Sequence, residues 1–483
     1  MLFNSPQFAV FFPIVTLLYF LLPRSARVPM LLAASCVFYM AFVPRYILIL
    51  AVLIVIDYSA GLLIERTSGH RRRALLIASL SANVGMLGFF KYFNFFNVNV
   101  AGLAQFIGWR YSISSLKIVL PIGLSFHTFQ SMSYTIEVYR GRFRAERSLL
   151  YFALYVMFYP QLVAGPIERP QNLMHQFREV HRFEWTRVFE GLQLMFSGLF
   201  LKMVIADRAR VLVDAVYTAP HRFSGAQLIV ATIFFAVQIY CDFCGYSQIA
   251  RGAAKVMGFD LMLNFNRPYL AASIADFWRR WHISLSTWFR DYLYFPLGGN
   301  RRAIERTCFN LGIVFLVSGL WHGASWTFIV WGAIHAVFII GYVLSGGIRT
   351  RAAGLVGQRT MRATGWLATM AVVVVAWVFF RAVTVSDAFF IVKTMVLHPA
   401  PRAGMDWHPG LDSVQFGIAV ALTVGLLTAE TVAEFRDKPL WAVVGDQPRW
   451  RRWSTYYALF TAFVVLLILA PEHGAQPFIY FQF

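Results

Sequence analysis

Long apolar runs dominate the pattern of hydrophobic and polar positions in this chain. Segments of about 20 apolar residues, the length with which an α-helix crosses a hydrocarbon core of about 30 Å, recur from Phe8 to Ala470. Short polar stretches separate these segments, and neither a long linker nor an internal repeat divides the sequence. The pattern predicts an all-α polytopic membrane protein, with about a dozen transmembrane or re-entrant helices in a single domain over residues 1–483.

Composition agrees with this fold class. The chain is 58% hydrophobic and only 14% charged, which is incompatible with an ordinary water-soluble surface. Its four cysteines lie in apolar sequence and are too few for a disulfide framework. Cys241 and Cys244 are close together, but zinc takes four ligands and no others lie nearby in sequence, so we predict no metal site.

Basic residues concentrate in alternate loops. Arg24 and Arg27 follow the first apolar run, "ERTSGHRRR" (65–73) follows the third, and "RGRFRAER" (140–147) follows a later one. Because lysine and arginine in short loops mark the cytoplasmic side, the N-terminus is predicted to be periplasmic. The net charge of +20 therefore reports orientation. It does not indicate nucleic-acid binding, since the basic residues flank spans and do not form a soluble basic face.

The segment "NFNRPYLAASIADFWRRWHISLSTWFRDYLYFPLGGNRR" (264–302) interrupts the apolar pattern, because arginines are interleaved with aromatic residues throughout. On one continuous helix, Trp278, His282, Leu285 and Phe289 would share a face. Two interpretations are open. The helix could lie in the cytoplasmic interface, anchored by tryptophan and arginine, or it could be re-entrant and carry His282 into a protein-lined cavity.

A second histidine lies in "SGLWHGASWTF" (318–328). Basic loops on both sides, "GGNRRAIER" and "GGIRTR", are typical of the cytoplasmic face, so two helices must lie between them. If the first helix begins near Thr307, the rise to His322 is about 24 Å. That is less than the roughly 30 Å core, so we expect a hairpin that turns near His322, below the outer surface.

His322 is therefore either a core histidine that bonds a backbone carbonyl or a functional residue. A buried, neutral imidazole can accept a proton from an attacking hydroxyl near pH 7. Trp321 and Trp326 either keep water away from a reactive acyl group or serve only for packing.

These segments resemble the membrane-bound O-acyltransferase family, and within it the branch that acts in bacterial alginate O-acetylation. The matching stretches are the two segments above together with "MLFNSPQFAVFFP", "LPIGLSFHTFQSMSYTIEVYRG", "YPQLVAGPIERPQNL" and "PFIYFQF". The resemblance implies a bowl of helices around a thin centre that a tunnel crosses. This chain departs from the family at His127, where a tyrosine is common, and in "YCDFCGYSQIA", where a stretch like "YFDFSGYSDMA" is usual.

The resemblance also implies roles for residues. His322 would be the essential catalytic histidine and His282 a second, supporting polar residue. Asp242 could instead form a purely structural ion pair. We expect arginines to hold the phosphates of the acyl donor. The predicted donor-binding residues are Arg279, Arg280 and Arg290, and the tunnel-lining or supporting residues are Asp242, Tyr246, Trp281, Trp321 and Trp326.

The predicted function is O-acetylation of an exported polysaccharide such as alginate. Acetyl-CoA in the cytoplasm would supply the acetyl group, and a periplasmic acetyltransferase partner would receive it after it crosses the bacterial inner membrane. Membrane lipid and a polysaccharide acceptor are the other expected partners. Two alternatives are open: the same fold acylating teichoic acid, lipid or protein, or a proton-coupled transporter in which His322, His282 and Asp242 form a proton relay.

Overall fold

A computed structural model describes residues 1–116, 120–401, 404–438, 440–471 and 476–479. All regular secondary structure in these ranges is helical, which confirms the predicted all-α fold class. The last four residues of the "PFIYFQF" stretch lie outside the described residues.

The described ranges contain 21 α-helices, several joined by 3₁₀ or π-helical turns. In chain order they are α1 (Pro6–Leu21), α2 (Arg24–Met40), α3 (Ile47–Arg66), α4 (Gly69–Leu87), α5 (Phe93–Phe106), α6 (Leu124–Tyr139), α7 (Leu149–Met157), α8 (Pro170–Leu173), α9 (Trp185–Leu199), α10 (Asp207–Tyr217), α11 (Gly225–Met257), α12 (Ile274–Arg280), α13 (Ile283–Phe289), α14 (Ile304–His322), α15 (Trp326–Leu344), α16 (Gly346–Val356), α17 (Gln358–Arg381), α18 (Val385–Leu397), α19 (Ser413–Arg436), α20 (Leu440–Gly445) and α21 (Arg449–Ile468).

Several helices are long and apolar enough to cross a membrane. Within the described ranges, eight helical segments meet this criterion by length and composition, and α1 is a shorter apolar helix. The eight segments are Pro44–Arg66, Gly69–Phe106, Trp185–Tyr217, Gly225–Met257, Ile304–His322, Trp326–Leu344, Gln358–Arg381 and Ser413–Arg436. Polytopic character is confirmed, but the predicted count of about a dozen is not, because other apolar sequence forms shorter helices such as α1 and α7.

Helix α11 occupies the centre of the fold, with 83% of its most apolar window buried by protein. Ser224 caps its N-terminus in a capping box with Gln227. Helix α9 approaches its backbone closely, since a Cβ atom on Gly198 would lie 2.5 Å from the carbonyl oxygen of Gly245. Small residues allow such contact between membrane helices. The helices around the functional residues therefore pack against a rigid centre.

The outer helices leave large apolar side chains exposed, as at Phe106 and Phe435, which are 88% and 86% exposed. Buried apolar side chains from Phe3 to Ile479 form one large cluster instead. Large apolar side chains thus lie both in the protein core and on its outer surface. Lipid tolerates this distribution, whereas water does not.

Candidate active site

His322 is the last residue of α14, and α15 begins at Trp326. The predicted hairpin is thus confirmed, with its turn at residues 323–325. Ser325 caps the second helix by accepting a hydrogen bond from the amide of Thr327 at 3.3 Å. Because α14 begins at Ile304 and not near Thr307, the rise to His322 is about 27 Å, close to the full thickness of a hydrocarbon core.

The two helices of the hairpin are in backbone contact. A Cβ atom on Gly319 would lie 2.3 Å from the carbonyl oxygen of Phe328, and one on Gly332 would lie 2.4 Å from that of Phe315. Only glycine fits at these two positions without separating the helices. His322, three residues after Gly319, is consequently held at a fixed distance from α15.

A half-buried lysine holds the end of the helix that carries His322. The ammonium of Lys91, in the π-helical turn Gly88–Tyr92, donates to the carbonyl oxygens of Trp321 at 2.7 Å and His322 at 2.9 Å. The Tyr92 hydroxyl donates to the preceding carbonyl, that of Leu320, at 2.7 Å. These carbonyls have no partner within the helix, and a positive charge is favourable at a helix C-terminus. Sequence reasoning missed Lys91, although a single lysine among the aromatic residues of "GFFKYFNFF" was a signal.

Aromatic rings enclose the His322 imidazole, which is buried. Its ring centroid lies 4.9 Å from that of Trp321, 5.0 Å from that of Trp331 and 5.3 Å from that of Phe380. Trp321 therefore occupies the position that a water-excluding residue would need. Trp331 and Phe380 complete this shell and were not singled out by sequence.

Trp326 lies elsewhere. It is 54% exposed, its ring packs on Phe95 at 5.8 Å, and its indole nitrogen donates to Oδ1 of Asn99 at 2.9 Å. These contacts anchor the start of α15 to α5. They do not make Trp326 part of the shell around His322, so its expected role in excluding water is not supported.

His282 does not lie on a continuous helix, and the predicted shared face with Trp278, Leu285 and Phe289 is wrong. Helix α12 ends at Arg280, α13 begins at Ile283, and His282 between them has left-handed backbone angles, φ 43° and ψ 54°. A side chain other than glycine in this region is strained by about 1–3 kcal/mol, and such strain concentrates at functional sites.

Asn264 explains the break. Its backbone carbonyl accepts from the amide of Ile283 at 2.9 Å, and its side-chain oxygen accepts from the amide and hydroxyl of Ser284. The same oxygen lies 3.0 Å from Nδ1 of His282. These bonds replace those that a continuous helix would make. His282 is 0% exposed, so its side chain is enclosed by protein, and its depth in the membrane stays a prediction.

The structure brings the two histidines together. Their ring centroids are 6.5 Å apart, and both rings contact Trp321, at 6.0 Å for His282 and 4.9 Å for His322. Among the described residues, Nε2 of His282 has no hydrogen-bond partner. Two imidazoles in one aromatic enclosure can flank a small acyl group, one accepting a proton and the other polarising or orienting the reacting atoms.

A third histidine adjoins this centre. His335 on α15 is 0% exposed and lies between the rings of Trp278 at 4.9 Å and Trp331 at 4.8 Å. Within the described ranges neither of its ring nitrogens has a hydrogen-bond partner. Its position in an apolar run was the signal that sequence reasoning overlooked.

Asp242 lies in a buried ionic network. One carboxylate oxygen is 2.5 Å from the ammonium of Lys202, and the other accepts from the backbone amide of Ile479 at 2.6 Å. Lys202 also contacts Asp207 at 2.8 Å and donates to the carbonyl of Pro477 at 3.2 Å. The partner is thus a lysine, where an arginine was one expectation. The network fixes residues 477–479 against α11, and a role for Asp242 beside a tunnel stays a prediction.

The other predicted supporting residues are buried but make apolar contacts. Tyr246 packs on Phe3 at 4.6 Å, and Trp281 packs on Trp377 at 5.0 Å and Phe277 at 5.5 Å. Both belong to the packing around the centre.

The three predicted donor-binding arginines differ in their surroundings. Arg280 pairs with Glu434 at 3.0 Å, whereas Arg290 is exposed and pairs with Asp291 at 2.8 Å. Arg279 is exposed. Their role as donor ligands stays a prediction.

Among the described residues, no cluster of three or more histidine, cysteine or acidic side chains could hold a metal ion. Cys241 and Cys244 are buried free thiols, and the Gln248 amide donates to Sγ of Cys244 at 3.4 Å.

Comparison with known proteins identifies the family to which this chain is similar. The sequence model of the membrane-bound O-acyltransferase family matches residues 142–385, which include both histidines. The chain is 39% identical over 445 residues to a protein of Pseudomonas aeruginosa named "Probable alginate O-acetylase AlgI", covering 91% of this chain and 83% of the relative. It is 36% identical over 430 residues to the peptidoglycan O-acetyltransferase of Helicobacter pylori, covering 82% and 80%. Identity to the teichoic acid D-alanyltransferase of Bacillus subtilis is 28% over 240 residues, covering 46% and 58%.

Proposed function

This chain belongs to the membrane-bound O-acyltransferase family and is a membrane-bound acyltransferase, and from that premise we propose that it O-acetylates an exported polysaccharide, alginate being the first candidate. The pairing of His282 and His322 inside one aromatic enclosure is the observation that carries the chemistry. Peptidoglycan is a second candidate acceptor, because a relative named for that activity matches along 82% of the chain.

The proposed donor is acetyl-CoA from the cytoplasm. The basic loops support a cytoplasmic donor side, with the N-terminus in the periplasm and the chain in the bacterial inner membrane. We propose that the acetyl group passes to a periplasmic acetyltransferase partner, as in the alginate O-acetylation branch that the sequence resembles. Teichoic acid has weaker support, since that relative matches less than half of the chain.

In the proposed reaction His322 acts as the general base. His322 takes the proton of the acceptor hydroxyl while the hydroxyl oxygen forms a bond to the acetyl carbon. The carbon–sulfur bond breaks, and the proton passes from the imidazolium to the departing thiolate. The products are an acetyl ester and free coenzyme A. His282 polarises or orients the thioester, and the rings of Trp321, Trp331 and Phe380 limit hydrolysis by excluding water.

Transfer of labelled acetyl groups tests the proposal. Cells that express the wild-type chain, His322→Ala or the exposed control His70→Ala are compared, and label is measured in purified alginate, peptidoglycan and teichoic acid. We expect label in alginate for the wild type and for His70→Ala, and none above background for His322→Ala. Label confined to peptidoglycan or to teichoic acid would overturn alginate as the acceptor.

A further inference from the structure

The indole N–H of Trp321 is a buried hydrogen-bond donor at the centre of the candidate active site. Trp321 is 4% exposed, and its Nε1 atom has no hydrogen-bond partner among the described residues. Buried polar groups without a partner are rare in folded proteins, because leaving a donor unmet is costly. A bound substrate that supplies an acceptor removes this cost. An unmet donor beside reacting groups is therefore a candidate for binding a substrate oxygen.

The indole ring of Trp321 contacts both imidazoles of the site. Its centroid lies 4.9 Å from that of His322 and 6.0 Å from that of His282, and both contacts are edge to face. The rings of Phe126 and Phe129 cover it at 5.4 Å and 5.5 Å. Neither phenyl ring carries a polar acceptor. The carbonyl oxygen of a thioester held between the imidazoles would supply one.

Acyl transfer from a thioester needs a hydrogen-bond donor as well as a base. When the acceptor oxygen attacks the acetyl carbon, the carbonyl oxygen gains negative charge. Preorganised N–H groups in a water-excluded site stabilise this charge. In the proposed reaction His322 takes the proton of the hydroxyl, so the position of the hydrogen on His282 decides whether that imidazole can serve as the N–H group.

Asn264 determines which nitrogen of His282 carries the hydrogen. The side-chain oxygen of Asn264 accepts from the backbone amide of Ser284 at 3.3 Å, and an amide N–H can only donate, so this oxygen acts as an acceptor. The same oxygen lies 3.0 Å from Nδ1 of His282, so Nδ1 carries the hydrogen and donates it. The Asn264 amide nitrogen donates to the hydroxyl of Ser247 at 3.1 Å, which holds this orientation.

Nε2 of His282 is consequently a hydrogen-bond acceptor. A neutral imidazole carries one N–H, and the burial of His282, which is 0% exposed, disfavours the charged form that carries two. Nε2 can therefore orient a substrate by accepting a hydrogen bond, but it cannot donate one to a carbonyl oxygen. Of the two roles proposed for His282, orientation remains, and polarisation of the carbonyl requires another group.

A positive charge strengthens the N–H group of Trp321. The Lys91 ammonium lies 5.9 Å from the indole centroid, within the range of cation–π contacts. A cation beside an aromatic ring draws electron density from it, so the N–H becomes a stronger hydrogen-bond donor. The group that holds the end of α14 thus also favours donation by Trp321.

Trp331 carries a second buried indole N–H without a partner among the described residues. Its ring contacts His322 at 5.0 Å. Its other neighbours within the described ranges include Trp278 at 5.8 Å and His335 at 4.8 Å, but not His282. A thioester placed between the two imidazoles therefore favours Trp321 over Trp331 as the donor.

We propose that the indole N–H of Trp321 donates a hydrogen bond to the carbonyl oxygen of the thioester and stabilises the negative charge on this oxygen during transfer. As the hydroxyl oxygen bonds to the acetyl carbon, the carbonyl π electrons move onto the oxygen. They return when the carbon–sulfur bond breaks, and the indole keeps its hydrogen throughout. The proposal rests on the proposed function and adds a catalytic residue to it.

An isosteric replacement separates the N–H group from the ring. Benzothienylalanine, in which sulfur replaces the indole N–H, is introduced at position 321 of the full chain by amber suppression, and the variant is studied in nanodiscs. It keeps the shape and the water-excluding surface of the indole but cannot donate. Trp331→benzothienylalanine asks whether that indole is the donor instead. Trp185→benzothienylalanine, at a residue that is 75% exposed, is the control for incorporation.

We expect kcat for transfer from acetyl-CoA to fall by about a hundredfold to a thousandfold in Trp321→benzothienylalanine and to stay normal in the Trp185 control. The KM should change little, because the lost interaction forms mainly in the transition state. Thioester hydrolysis without an acceptor should not rise, since the ring still excludes water. Wild-type kcat in Trp321→benzothienylalanine would overturn the proposal, even with an impaired Trp321→Phe, as would a loss found only at Trp331.

Infrared spectroscopy tests the same hydrogen bond without turnover. The probe is acetyl-CoA with a ¹³C-labelled carbonyl, bound to His322→Ala so that it is not consumed. A hydrogen bond to the carbonyl oxygen lowers its stretching frequency, and this shift should disappear when Trp321→benzothienylalanine is added. A carbonyl that is unshifted in His322→Ala itself would overturn the proposal.

The two proposals fail separately. If the chain transfers no acetyl group but the carbonyl shift requires the Trp321 N–H, the hydrogen bond stands and the proposed function falls. If transfer requires His322 but the shift and kcat do not depend on the Trp321 N–H, the role of Trp321 falls alone.

Discussion

The ammonium of Lys91 lies 2.9 Å from the backbone carbonyl oxygen of His322 and 2.7 Å from that of Trp321. The residue that ends α14 is thus held through its backbone by a charged group from a distant part of the chain. This contact is made to the backbone of His322, and the imidazole lies within the aromatic enclosure. Lys91 is accordingly a positioning residue, and its substitution should affect catalysis through the placement of His322.

Replacing Lys91 with methionine should reduce kcat by about tenfold to a hundredfold, because small misplacements of a catalytic group have effects of this size. The KM for acetyl-CoA should change much less, since Lys91 donates to backbone carbonyls at the end of α14 and acts through the placement of His322. Lys91→Arg should recover part of the loss, and Lys393→Met, at an exposed lysine, should have no effect. Steady-state kinetics in nanodiscs provide the measurement. Equal kcat for Lys91→Met and wild type would show that this contact does not position His322.

The left-handed backbone at His282 allows its conformation and its chemistry to be separated. His282→Ala and His282→Asn both remove the imidazole and should both lower turnover by about tenfold or more. Asparagine tolerates left-handed angles, whereas alanine should cost about 1–2 kcal/mol there. We therefore expect His282→Asn to unfold at a higher temperature than His282→Ala, although both variants should lose the same fraction of turnover. Normal turnover in His282→Asn would return His282 to a purely structural role.

The glycine contact in the α14–α15 hairpin should be sensitive to one methyl group. Gly319→Ala brings a Cβ atom to 2.3 Å from the carbonyl of Phe328, so the helices must separate and His322 must move. We expect a loss of about 1–3 kcal/mol in stability together with reduced turnover. Gly312→Ala on the same helix is the control, because its Cβ atom meets nothing within 4 Å. Thermal unfolding and acetyl transfer are measured on the same preparations. Equal unfolding temperature and turnover for Gly319→Ala and Gly312→Ala would show that the contact is unimportant.

The sequence predicted the features that depend on local pattern. Apolar run lengths and basic loops predicted an all-α membrane protein and a hairpin that turns near His322. The break at His282 could not be predicted this way, because helical periodicity assumes a continuous helix. The hydrogen bonds that interrupt it come from Asn264, eighteen residues earlier.

Other contacts between residues far apart in the chain could not be predicted from the sequence either. Lys91 is 231 residues from His322, and Ile479 is 237 residues from Asp242. An ionisable residue in an apolar run signals that a partner exists, as for Asp242, but does not say which.

The buried pair of Lys202 and Asp242 should be important for stability. Their side chains are 8% and 2% exposed, so Lys202→Met leaves an uncompensated buried carboxylate. Removing one partner of such a pair lowers the free energy of unfolding by about 3–5 kcal/mol. The double variant Lys202→Met with Asp242→Asn should recover part of this loss. The pair of Lys255 and Glu190, with side chains 26% and 29% exposed, provides the control, since Lys255→Met should cost about 1 kcal/mol or less. Unfolding temperatures in detergent that are equal for Lys202→Met and Lys255→Met would contradict this ranking.

Consumption of the acetyl-CoA thioester by the purified chain in nanodiscs, with an acceptor supplied, tests the central role of His322 most directly. Wild type is compared with His322→Ala and His70→Ala, and coenzyme A binding verifies that each variant is folded. The account predicts that His322→Ala loses turnover by at least about a hundredfold while its coenzyme A binding and His70→Ala activity stay normal. Near-normal turnover by folded His322→Ala would contradict it.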